Sequence, residues 1–219
     1  KKDMAAYKST LGNALNIAVV FSLPAMFGLV ILSNHIIISL FQYGSFTIND
    51  TLMSSMSLVA YSIGLPAFIL MKVLLTGFFS RQDTKTPVRY GIIAVAFNVV
   101  MNLSVLAYYL HNPFNGAHAF LALATSLSAW LQVFLLYKNL RQNDYISKSI
   151  FKTKPSYQSL LSCIIMTIIL SYTLLDVLEW SQNAYYVRGA LLLIYIIMGA
   201  IIYTSTMYIL GYKIKKNYI

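Results

Sequence analysis

The sequence predicts an all-α fold, a polytopic membrane bundle of about six transmembrane helices forming a single lobe over residues 1–219, and three observations carry that prediction. Hydrophobic residues make up 58% of the 219 and charged residues only 10%, with a mean hydropathy of +0.69. A soluble domain carries about 25% charged residues, so a water-soluble fold is excluded. Six apolar stretches reach the roughly 20 residues that cross a bilayer, at about 11–32, 52–79, 88–110, 118–137, 160–178 and 189–210. Basic residues then gather in short clusters between those stretches, which turns the formal charge of +10 into a topology signal rather than a nucleic-acid footprint.

The elements follow in order. Ser33-Asn34 after the first span predicts the cap of a short interfacial helix running to Gln42, with Gly44 stopping it and Asp50 restarting the chain. Thr86-Pro87 predicts a clean start for the third helix, since threonine can accept a first-turn amide and proline there loses only an unpaired one. Asn-Pro and Asn-Gly turns between His111 and Ala117 separate the third span from the fourth. Runs such as Leu191-Leu192-Leu193-Ile194-Tyr195-Ile196-Ile197 are apolar on every side, which excludes the alternation of a membrane β-barrel. The single cysteine, Cys163, excludes a disulfide scaffold. The opening Lys1-Lys2-Asp3 has neither an initiator Met nor a signal-peptide core, and predicts a start inside a longer protein.

Orientation follows from Lys and Arg. One side collects Lys1, Lys2, Lys8, Arg81, Lys85, Arg89, Lys138, Arg141, Lys148, Lys152, Lys154, Lys213, Lys215 and Lys216, against Arg188 on the other. The positive-inside rule predicts both termini in the cytoplasm, as an even number of spans also requires.

Few polar side chains fall inside the spans. Lys72 lies seven residues before Phe79, about 10 Å along the helix, where a charge must snorkel to the interface or meet an anionic substrate in a cavity. Asn98 and Asn102 share a face of the third helix, and Thr125, Ser126 and Ser128 on the fourth can approach them, either as interhelical hydrogen bonds or as oxygen ligands of a small cation. Pro24 and Pro66 interrupt the first two spans, as static kinks or as hinges. His35, His111 and His118 lack a third ligand for a metal and are expected at the surface. Tyr108, Tyr109, Trp180, Tyr185 and Tyr186 near span ends suit the headgroup region. No acid pairs with a histidine inside a span, so no enzyme activity is expected.

The stretch Gly77-Phe78-Phe79-Ser80-Arg81-Gln82-Asp83-Thr84-Lys85-Thr86-Pro87-Val88 resembles the cytoplasmic loop signature of the MurJ/MviN family of lipid II flippases. Leu40-Phe41-Gln42-Tyr43-Gly44-Ser45-Phe46-Thr47 resembles that family's upstream segment, in the right order and one span away. The resemblance implies the carboxy-terminal lobe of a fourteen-helix fold of the multidrug/oligosaccharidyl-lipid/polysaccharide exporter superfamily, in the bacterial inner membrane. It implies translocation of an undecaprenyl-linked peptidoglycan precursor by alternating access, with the amino-terminal lobe of the same protein and membrane lipids as partners. An exporter of another lipid-linked oligosaccharide or drug, or a non-transporting scaffold, is the competing expectation. The last two helices would form a groove for the lipid tail. The substrate-binding candidates are Lys72, Arg81 and Lys85. The loop motif is Arg81, Gln82, Asp83, Thr84, Lys85, Thr86 and Pro87, with Asp83 expected to hold the turn by pairing with a cation. Asn98 and Asn102 resemble positions of a sodium site in the family, a possible sodium ion being the one cofactor expected.

Overall fold

A computed structural model describes residues 2–114, 116–146 and 153–212, and these are helical with no strand among them. Six helices are long and apolar enough to cross a membrane, the observation that makes this a multi-pass membrane protein. In chain order they are α1 (Lys2–Phe41), α2 (Ile48–Phe79), α3 (Lys85–His111), α4 (Ala117–Gln142), α5 (Lys154–Thr173) and α7 (Tyr185–Ile209), with the short α6 (Val177–Gln182) before the last.

Helix α1 is the spine. Its 40 residues extend about 60 Å at 1.5 Å per residue, well beyond the roughly 30 Å hydrocarbon core. Its first half packs Leu11, Leu15 and Val19 against Leu70, Leu74 and Phe78 of α2 and Leu136 and Leu140 of α4. Its second half packs Leu32 and Ile38 against Cys163, Met166 and Leu170 of α5, Trp180 of α6, and Tyr195 and Tyr203 of α7. Two cores thus lie along one helix.

The expected break at Ser33 does not occur, and helix α1 runs unbroken through Ser33, Asn34 and His35 to Phe41. Ser33, His35, Ile37, Ile38 and Ser39 are all buried, and this burial overrides the local preference of Ser-Asn for a cap. The helix ends at Phe41, and the chain then reverses at Gly44, which adopts φ +59° in a turn closed by Phe46 N–H on the Tyr43 carbonyl.

Helix α2 then starts on a reciprocal cap. Thr47 Oγ1 accepts from Asp50 N–H at 3.2 Å, and Asp50 Oδ2 accepts from Thr47 N–H at 2.8 Å, satisfying two otherwise unpaired amides. Helices α2 and α4 approach closely through small residues. A Cβ on Gly64 would lie 2.6 Å from Ser126 Oγ, and that hydroxyl donates to the Ala60 carbonyl at 2.6 Å.

The fifth span departs from its expected bounds of 160–178. Helix α5 begins earlier because Pro155 occupies its first turn, and it ends at Thr173, where Leu174 turns extended at φ −65°, ψ 130°. The residues that follow form α6, whose Trp180 is fully buried among α1, α5 and α7 rather than exposed at a span end. Its indole Nε1 donates to Ser39 Oγ at 3.0 Å, and its ring meets His35 edge-on at 4.6 Å. His35 is therefore buried, not a surface histidine, with Nε2 donating to the Leu175 carbonyl at 3.1 Å. His111 and His118 are exposed.

Candidate functional site

Helix α2 carries Lys72 on the face opposite Leu70, Leu74 and Phe78, which are fully buried. Lys72 is exposed, and no described residue pairs with it or hydrogen-bonds to it. It stands apart from Arg81 and Lys85.

The loop after α2 is built by its own backbone. Arg81, Gln82 and Asp83 amides bond to the Phe78 and Phe79 carbonyls at 2.9–3.1 Å, and Gln82 takes a positive φ of 58°. The helix that follows starts at Lys85, not at Thr86-Pro87, and Thr84 at its cap position makes no side-chain cap. Asp83 does that work instead: its Oδ1 accepts from the Thr86 backbone N–H at 3.1 Å. That bond, helped by the Thr86 hydroxyl and by nearby Arg81, holds the Asp83 carboxyl below the usual carboxylate range. The expected pairing of Asp83 with a cation is not found. Among the described residues the ion pair lies elsewhere, between Lys8 Nζ and Asp144 Oδ2 at 2.6 Å.

Arg81 lies over the Tyr145 ring at 3.3 Å from its centroid, a cation–π contact. Tyr145 in turn meets Tyr7 edge-on at 6.1 Å, and Tyr7 donates to the Gly77 carbonyl at 2.7 Å. The Lys/Arg-rich end is therefore clasped by α1, the α2–α3 loop and the chain after α4. Sequence reasoning missed this clasp. Its available signal was Asn143-Asp144, residues tolerant of the positive φ of 57° that Asp144 adopts to swing Tyr145 back.

The asparagine pair forms as the helical spacing requires. Asn102 Nδ2 donates to Asn98 Oδ1 at 3.0 Å, and Asn98 Nδ2 reaches Thr125 Oγ1 at 3.4 Å. Ser126 and Ser128 do not join them: Ser126 turns to α2, and Ser128 donates to the Thr125 carbonyl of its own helix at 2.8 Å. One oxygen is orphaned, because Asn102 Oδ1 is buried with no hydrogen-bond partner. The set fits a weakly held cation, offering neutral oxygens only, and among the described residues no three His, Cys, Asp or Glu come together.

The opposite end also has a network that the sequence did not disclose. Arg188 in the first turn of α7 donates to the carbonyls of Asn183 at 2.7 Å, Gln42 at 3.4 Å and Ser181. A cation opposes the dipole of its own helix there, the one hint that it serves the carbonyl ends of α6 and α1 instead.

Six helices long and apolar enough to cross a bilayer, with one basic end clasped by Arg81 on Tyr145 and an asparagine pair of α3 reaching Thr125 of α4, define a multi-pass helical membrane protein. The family model described as "Lipid II flippase MurJ" matches residues 1–197, and the chain belongs to that family. A probable lipid II flippase MurJ of Haemophilus influenzae is 31% identical over all of this chain and 41% of its own length. The Vibrio cholerae protein of the same name is 43% identical over 61% of this chain and 24% of its own, and the Rickettsia prowazekii protein 32% identical over 95% and 40%. A solved structure of lipid II flippase MurJ in an inward closed conformation superposes with a TM-score of 0.71 at 26% identity, over 95% of this chain and 40% of that one. The chain thus spans about two fifths of the length of the relatives it matches end to end.

Proposed function

We propose that this chain is the carboxy-terminal part of a transporter that moves the lipid-linked peptidoglycan precursor, lipid II, from the inner to the outer leaflet of the bacterial cytoplasmic membrane by alternating access. The observation that carries the reading is the family match over residues 1–197, combined with relatives named as flippases, which are transporters rather than enzymes. An amino-terminal lobe of the same protein completes the cavity. Both termini lie in the cytoplasm, a placement supported by the basic clusters at one end and the lone Arg188 at the other.

Lys72 is the residue of this chain best suited to meet the diphosphate, because it is an unpaired cation on an exposed helical face within a span. Arg81 and Lys85 stand at the mouth and add positive potential there, Arg81 from a position fixed by the Tyr145 ring. A sodium ion at Asn98, Asn102 and Thr125 belongs to the same reading, supported by the orphaned Asn102 Oδ1. When bound it would supply a positive charge that ties α3 to α4.

The test is complementation of cells depleted of their lipid II flippase by the full-length protein that carries this chain. Rescue by that protein, and loss of rescue when it ends before Leu52, is the expected result. Failure of a well-inserted full-length protein would overturn the reading. The Lys72→Ala variant is expected to insert normally and to flip less, and unchanged flipping would leave Lys72 only a snorkelling role.

A further inference from the structure

We propose that Lys85 and Arg89 at the start of α3 hold the phosphate of an anionic phospholipid, with an acyl chain lying along the free face of that helix. Four residues apart, the two cations stand about 6 Å from each other along the axis on one face, a spacing that a phosphate can bridge. They border a groove of about 600 Å³ with Thr84, Val88, Ile92 and Ile93. Neither makes an ion pair among the described residues.

The neighbouring charges are already engaged. Arg81 is stacked on Tyr145, and the Asp83 carboxylate, the nearest acid in sequence, accepts from the Thr86 amide. One acid, Asp83, beside three cations, Arg81, Lys85 and Arg89, leaves this turn net positive, and an incoming anion offsets that charge.

Below the cations the free face is apolar for the rest of the span. Helix α3 packs on α4 through Ala94, and the side turned away carries Ile92 at 65% exposure, Val99, Leu103 and Leu106. A water-soluble anion would gain nothing from that wall, whereas a lipid meets cations and apolar surface at once. A zwitterionic lipid carries its own cation beside the phosphate, so selectivity for a net anionic headgroup follows. Each basic residue near an anionic headgroup is worth about a five-fold gain in affinity.

The test places a fluorescent reporter on this face, Ile92→Trp, in the full-length protein, reconstituted in bilayers of phosphatidylcholine with one fifth phosphatidylglycerol. Either lipid is brominated in turn, and quenching reads which one sits beside position 92. The expected result is a preference of at least about five-fold for phosphatidylglycerol, abolished in the Lys85→Gln/Arg89→Gln double variant, retained in Lys85→Arg/Arg89→Lys, and unmoved by Lys138→Gln on α4. Equal quenching by both lipids, a preference that survives the double variant, or no quenching by either because protein covers the face, would each overturn the proposal.

Discussion

Helices α3 and α4 are consecutive, 27 and 26 residues long, and both apolar enough to cross a membrane, yet α3 buries only Pro87 and Ala94 whereas α4 buries seven residues in the bundle. Length and hydropathy decide that a segment crosses a membrane; they do not decide what it touches. The difference lies in side-chain size on one face. Helix α4 presents Ala122, Ser126 and Ala129, which let α2 come close at Gly64, whereas α3 turns Val, Ile and Leu outward and touches little but α4.

That contrast can be broken where it is tightest. Gly64→Leu forces a branched side chain into the 2.6 Å gap to Ser126 and should cost about 3 kcal/mol, seen as a large fall in detergent-solubilised melting temperature. Leu136→Ala, which empties a fully buried site on α4, is expected to cost about 2–4 kcal/mol in the same assay. The matching change on α3, Leu103→Ala, removes a side chain 59% exposed and should stay within about 0.5 kcal/mol. Equal losses at Leu136 and Leu103 would mean that α3 is as packed as α4.

A smaller effect is expected at the turn between α2 and α3. The Asp83 carboxyl titrates below its usual range when folded, so its support of the Thr86 amide is present above the unfolded carboxylate range and is lost as pH falls through the lowered folded value. Protection of the Thr86 amide, its exchange rate relative to the intrinsic rate at each pH, should therefore fall on acidification in the parent. Asp83→Asn should be less protected at neutral pH and change its protection little in acid. An Asp83→Asn variant with the parent's pH response would remove the carboxylate from that role.

Much of this was legible beforehand because the bilayer imposes it: spans must be about 20 apolar residues, so their number could be read from the chain. The Asn98–Asn102 pair was equally readable, since helical spacing alone sets it. What escaped was tertiary. Whether Ser33-Asn34 ends a helix depends on the buried surface that α5, α6 and α7 bring to α1, and whether Trp180 faces lipid or His35 depends on α6 folding back. Small local preferences lose to such burial. The clasp of Arg81 on Tyr145 joins residues 64 positions apart, beyond any local pattern.

The measurement that tests the account most directly is the appearance of lipid II on the outer leaflet of cells in which the full-length protein carrying this chain is the sole flippase. The account predicts outer-leaflet lipid II with the intact protein, and its loss when the chain stops before Leu52. Intact, correctly inserted protein with lipid II retained on the inner leaflet would contradict it.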